Sequence, residues 1–280
     1  MIGDLRALLW QAFAPCFEIE NELKIRMKIG SVFANVYQEI PRFLPSLEKS
    51  LKTQIQLDLK RTRSPLTGAQ LTSDDLKNLT FILESIAFVF PEIGYCQGMN
   101  YIAATLYSYL QENEASIGIF MGIISTKKLR GLFTGSVPEY HVRAHVFQRI
   151  LEEKIPKLYA HFKKMQLKLD MFLCDWFMTL FCGFFFVSTN GLAYAILDNF
   201  FLDGWPALYR VSLTILRILE PELILMDDIG RIAARMQILR QGNGLSDLLV
   251  LASREGYLGD LDRYELDYFT SQVVMKITRY

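Results

Sequence analysis

The sequence predicts an all-α protein, and three observations carry that expectation. Apolar residues recur at helical spacing along most of the 280 residues, whereas strict period-two alternation is almost absent. Pro41, Pro45, Pro91 and Gly94 punctuate the periodic segments as helix ends and short connections do. The chain is 51% hydrophobic and 21% charged, with 20 Phe, 13 Tyr and 3 Trp, so burial offsets ordering entropy and the core is largely aromatic. At a loose prior of about 150 residues per domain, the length suits one large domain or two small ones.

Charge and cysteine content narrow the function classes. Lysine plus arginine total 30 and aspartate plus glutamate total 30, a balance that argues against nucleic acid as the main partner. Cys16, Cys96, Cys174 and Cys182 have no C-x-x-C spacing and form no disulfide framework, so they read as reduced, mostly buried thiols of an intracellular protein. Asp4 and Arg6 interrupt the first apolar stretch, which is therefore no signal peptide. No charge falls between Asp175 and Asp198, but Ser188-Thr189-Asn190-Gly191 divides that stretch as a helix stop and a new N-cap. The remaining run from Trp176 to Val187 is shorter than the roughly 20 residues that span a bilayer. Two buried core helices account for it better than a transmembrane segment.

Taken in order, Leu5, Leu8, Leu9 and Phe13 mark one apolar face of a first helix. Helical spacing resumes from Glu20 to Tyr37, with an interruption near Gly30-Ser31. Leu47, Leu51, Ile55 and Leu59 share a face of a helix over 46–62, and Thr62 to Gly68 is a turn-rich loop. Ser73 followed by Asp74 and Asp75 reads as an N-cap with acidic first-turn residues, and that helix stops at Pro91. Another apolar helix covers 99–110. Further helices are expected near 115–125, 139–153, 156–167, 170–187, 190–202, 206–219, 227–240, 245–254 and 264–278. No fixed-period repeat and no low-complexity linker occurs, so the expectation is about a dozen or more helices in one domain over 1–280, arranged as two lobes meeting near residue 165.

Few segments offer chemistry. His141 and His145 lie four apart on one helix face, but the glutamate of H-E-x-x-H is missing, Arg143 would repel a cation, and His161 is the only other histidine. No metal site is therefore assigned. P-loop, G-x-G-x-x-G and G-x-S-x-G motifs are absent, and Gly242-Asn243-Gly244 reads as a helix stop. Two segments stand out. In Ile55 to Thr62, Asp58 and Arg61 are i,i+3 neighbours, either an ordinary surface pair or a carboxylate that directs the guanidinium outward toward a phosphate on another molecule. In Gly94 to Asn100, Gln97 lies in a Gly-bounded loop whose Gly98 permits close backbone approach. Its amide can orient a water against a phosphate; the alternative is a plain Gly-flanked connection.

Taken together, I-x-x-D-x-x-R (Ile55, Asp58, Arg61) and Y-x-Q-G-M-N (Tyr95 to Asn100) resemble the motifs of the TBC domain, the Rab GTPase-activating family. Arg6 and Trp10 resemble its opening motif, and the stretch from Trp176 to Phe201 its later aromatic helices. The resemblance implies a multi-helical, V-shaped domain that supplies Arg61 as an arginine finger and Gln97 as a glutamine finger in trans. It gives Asp58 the role of orienter and Tyr95 that of packing support. The partner it implies is a Rab-type small GTPase in its GTP-bound form. GTP and Mg²⁺ belong to that partner, so the chain needs no cofactor of its own. A monomeric cytoplasmic protein of vesicle trafficking, recruited to membranes through its Rab, follows from the same resemblance. One departure is visible: Arg63-Ser64 precedes Pro65 where the family commonly has an aromatic residue before proline. The rival expectations are a catalytically silent scaffold that binds a GTPase or another protein, and a helical membrane-associated protein.

Overall fold

The apolar periodicity resolves into fourteen α-helices among the described residues of the computed structural model, which are 2–27, 35–127, 129–184 and 191–239. No strand forms among them; Arg63 and Gln70 make one isolated antiparallel bridge. The chain divides into two compact units, 1–136 and 137–280. The division falls at 136/137 rather than near 165, because the helices just after it pack with later ones: Pro138–Lys154 on both Pro156–Lys164 and Asp170–Met178.

The first unit contains α1 (Ile2–Phe13), α2 (Phe17–Arg26), α3 (Val36–Glu39), α4 (Lys49–Arg61), α5 (Ser73–Val89), α6 (Met99–Leu110), α7 (Asn113–Thr126) and α8 (Arg130–Phe133). The continuous run Ser116 to Ile124 of α7 is buried, as expected of a helix apolar on every side. α5 packs on α4, α6 and α7, and its buried Leu79, Ile82, Leu83 and Ile86 repeat at helical spacing. Each such side chain contributes about 1.5–3 kcal/mol on leaving water. α5 is capped by Thr72 rather than Ser73: the Asp75 N–H donates to Thr72 Oγ1 at 3.1 Å, and the Thr72 N–H donates to Asp75 Oδ2 at 3.0 Å. That reciprocal pair satisfies two orphan donors, which Ser73, as the first helical residue, could not do.

α1 does not bury the face expected of it. Leu5, Leu8, Leu9 and Phe13 are 39–61% exposed, while Trp10 and Ala14 are buried. The cause lies in α7. A Cβ on Gly122 would stand 1.9 Å from the Ala14 carbonyl oxygen, so the end of α1 descends onto α7 backbone against backbone. Close approach at that one point turns Trp10 inward and the leucines outward. The cysteines also differ from expectation, since Cys182 alone of the four is fully buried. Burial still pushes the Cys16 thiol up to about 11 and raises that of Cys174.

The second unit contains α9 (Pro138–Lys154), α10 (Pro156–Lys164), α11 (Asp170–Met178), α12 (Leu192–Asp203), α13 (Trp205–Leu223) and α14 (Ile229–Leu239). α11 stops after nine residues instead of running to 187. Leu180 and Phe181 take left-handed backbone conformations, with φ of 50° and 62°. That conformation costs roughly 1–2 kcal/mol per non-glycine residue. It is held by the Phe181 N–H to the Trp176 carbonyl at 2.7 Å and by complete burial of both side chains. Phe181 thereby stacks on Trp176, while Phe177 packs edge-on against Trp205 and Phe147. No helix of the described residues is long and apolar enough to cross a membrane. Ser188 to Asn190, Gly242 to Gly244 and the helices expected at 245–254 and 264–278 lie outside the described residues.

Gly122→Ala should lower the melting temperature by several degrees, because its Cβ meets main chain that cannot rotate away. Thermal unfolding followed by circular dichroism checks this; an unchanged melting point would remove the backbone-contact account of α1.

Candidate functional site

Ile55, Asp58, Leu59 and Thr62 lie at i, i+3, i+4 and i+7, the positions that form one stripe of α4, and all four are buried. Asp58 thus places a carboxylate within an apolar stripe, where a charge must be paired and hydrogen-bonded to be tolerated. Its Oδ1 accepts from the Arg61 guanidinium and from Gln54 Nε2 at 3.3 Å. Its Oδ2 accepts from the Tyr95 hydroxyl at 2.7 Å. The Asp58 side chain is fully buried and that of Arg61 57% exposed, so a buried anchor holds a cation facing solvent.

The helix end and the loop before α6 are tied together twice. Thr62, the C-cap of α4, donates from Oγ1 to the Asp58 carbonyl at 2.7 Å and accepts from Asn100 Nδ2 at 2.8 Å. Asn100 in turn accepts at Oδ1 from the Gly98 N–H at 3.1 Å, and the Tyr95 hydroxyl approaches the same oxygen at 3.3 Å. Burial, and next the hydrogen bond to Asp58, push the Tyr95 phenol far above its ordinary range, so it remains a protonated donor. Gly98 has φ of 111°, a conformation that a side chain would strain, and it is buried at the start of α6. Between these fixed neighbours Gln97 is exposed.

Asp58, Arg61, Tyr95 and Gly98 are therefore parts of one network, with Gln97 carried on its loop, while Ile55 contributes only its burial in the same stripe of α4. Tyr95 does more than fill space, since it donates directly to the carboxylate that directs Arg61. Thr62, Asn100 and Gln54 complete the network and had no assigned role. Asn100 could have been suspected as an uncharged polar residue opening an otherwise apolar helix. Gln54 could have been found from its i,i+4 spacing to Asp58, whereas the bond from Asn100 to Thr62 is fixed only by the packing of α4 on α6.

Arg6 and Trp10 stand at the far end of α6. The Trp10 ring packs 5.2 Å from that of Tyr109, and the Arg6 guanidinium lies 5.1 Å over the same ring. Their role is to hold α1 on α6 through an aromatic and a cation–π contact. The departure at Arg63-Ser64 leaves a closed loop: Ser64 N–H to the Ala69 carbonyl and Gly68 N–H to the Ser64 carbonyl are both 2.8 Å, and Pro65 is buried. His141 and His145 belong to the second unit, where Arg143 turns away from them to pair with Glu139 and lie 4.9 Å over Trp205.

Residues 4–224 match the model of the Rab-GTPase-TBC domain, and the chain belongs to that family. Among solved structures, it superposes with a TM-score of 0.68 on the Chlamydomonas flagellar RabGAP TBC domain, at 20% identity over 90% of this chain and 80% of that one. The Ypt/Rab-GAP domain of Gyp1p gives a TM-score of 0.65 at 14% identity, covering 100% of this chain and 90% of that one. These likenesses show the fold. Over 223 residues the chain is 28% identical to the GTPase-activating protein GYP5 of Eremothecium gossypii, covering 80% of this chain and 24% of that protein. The chain spans about a fifth to a quarter of the length of the curated relatives it matches first.

Tyr95→Phe removes the donor to Asp58 while keeping the ring. It should cost about 1.5–3 kcal/mol, the usual worth of a hydrogen bond to a charged group, and lower the melting temperature accordingly. An unperturbed melt would mean that Asp58 does not depend on Tyr95.

Proposed function

We propose that this chain accelerates GTP hydrolysis by a Rab-type small GTPase in its GTP-bound form, supplying Arg61 and Gln97 in trans. The observation that carries this is an exposed guanidinium anchored to a fully buried carboxylate, which is itself bonded to the Gln97 loop. GTP hydrolysis develops negative charge on the transferring phosphoryl oxygens, and a trans arginine is worth roughly 10³–10⁵ in rate. A guanidinium pinned by Asp58 loses less conformational freedom on docking than a free one, so more of its interaction energy goes to the transition state. Gln97 has the complementary task. Its carbonyl accepts a hydrogen bond from the attacking water while its amide N–H₂ donates to the phosphoryl group. GTP and Mg²⁺ remain with the partner, and the GTPase in turn recruits the chain to its membrane.

A GTP hydrolysis screen against a panel of Rab proteins tests the activity; no stimulation of any of them would leave the silent-scaffold alternative. On a responsive Rab, Arg61→Lys should lose at least a hundredfold of the stimulation with unchanged helical content, because an ammonium cannot reproduce the planar fork. Near-normal stimulation would reject Arg61 as the finger.

A Rab whose own catalytic glutamine is replaced by alanine separates one finger from two. It should still respond to the unaltered chain, and Gln97→Ala should fail on both forms of the GTPase. Full activity of Gln97→Ala, together with no response from the glutamine-less Rab, would leave a single arginine finger.

A further inference from the structure

The second unit holds a cavity of about 430 Å³ between α9, α10, the turn at 165–169 and the first residue of α11. Its lining gathers nitrogen donors. His141 and His145 stand on the α9 side, and Lys163 and Lys168 on the side of α10 and the turn. All four are exposed, and none is engaged in an ion pair among the described residues. Asp170 is the single carboxylate of the lining, and its Oδ1 already accepts from the Tyr140 hydroxyl at 2.5 Å. Between Glu153 and Asp170 the sequence contains five lysines and no acidic residue, in a chain whose charges balance overall.

The convergence of the two lysines is made by the fold. Five positions apart on a continuous helix, Lys163 and Lys168 would diverge by about 140°. Gln166 takes φ of 58°, ends α10, and bends the chain back, with its N–H on the Lys163 carbonyl at 3.1 Å and the Leu167 N–H on the Phe162 carbonyl at 3.0 Å. Lys168 is thereby returned to the cavity that Lys163 borders. The Tyr159 hydroxyl accepts from Gln148 Nε2 at 3.1 Å, which gives the wall neutral polar groups suited to hydroxyls, and buried Phe162 and Leu167 supply an apolar surface.

We propose that this cavity is a binding site for a polyol carrying two or more phosphate groups, either free or as the headgroup of a lipid. Two lysine ammonium groups on the wall of α10 and the turn, and imidazole N–H donors from His141 and His145 on the α9 wall, suit a ligand with separated phosphate groups, whereas one inorganic phosphate would engage a single wall and leave most of the volume unfilled. The volume lies within the roughly 300–1,000 Å³ range of small-ligand sites. The site is independent of Arg61 and Gln97, which belong to the first unit, and its test does not depend on GTPase stimulation.

Two titrations distinguish the sources. Inositol 1,4,5-trisphosphate is titrated calorimetrically into the full chain, and phosphatidylcholine vesicles with or without phosphatidylinositol 4,5-bisphosphate are sedimented with it. Saturable one-to-one binding of the soluble probe identifies a free ligand. Retention confined to the phosphoinositide vesicles identifies a headgroup. In whichever titration binds, Lys163→Ala with Lys168→Ala should weaken it at least tenfold at unchanged helical content, and Lys163→Arg with Lys168→Arg should retain it. The proposal is overturned if neither probe binds, or if binding survives the double alanine substitution.

Discussion

The carboxylate of Asp58 has no exposed surface, and the surroundings of Arg61 are organised around satisfying it. An ionised side chain inside a protein is tolerated only when several donors converge on it to replace the hydration it loses. Three donors converge here, from two different segments: Gln54 and Arg61 of α4, and Tyr95 of the loop before α6. The requirement of one buried charge therefore fixes the direction of an exposed cation and the position of a neighbouring loop together.

α6 carries this arrangement at both ends. Near its start, Asn100 joins the Gly98 backbone to the Thr62 cap of α4. Near its end, Tyr109 receives Trp10 and Arg6 from α1. The opening motif of the chain therefore supports the same helix that positions the Gln97 loop, although Arg6 and Gln97 are far apart in sequence. Gly122 completes the frame by letting the main chain at the end of α1 reach α7, so the first unit is braced from the side opposite its exposed leucines.

The second unit solves a different problem. Its apolar stretch after Trp176 does not continue as a helix; left-handed Leu180 and Phe181 fold it back so that aromatic rings pack on one another. Local strain is offset by burial of large rings, a balance that only a well-filled core sustains. Another left-handed residue, Gln166, reverses the chain after α10 and gathers charge instead of rings. The same backbone device thus serves packing in one turn and surface chemistry in another.

The all-α class was legible because helical periodicity is a local property, and α6 was bounded correctly from its residues alone. The pairing of Asp58 with Arg61 was legible for the same reason: residues three apart on a helix are neighbours whatever surrounds them. Whether that pair is an ordinary surface contact or a buried anchor was not legible, since burial of Asp58 depends on Tyr95, 37 positions away. That the apolar face of α1 is exposed was not legible, because the contact that turns its leucines out comes from a glycine in α7. Thr62, Asn100 and the meeting of Lys163 with Lys168 were likewise decided by long-range packing or a left-handed turn. Sequence alone determined the helical class, the position of most helices among the described residues, and which residue types could act on a phosphate. Tertiary structure decided which charges are buried and which are presented, because desolvation is set by neighbours distant along the chain.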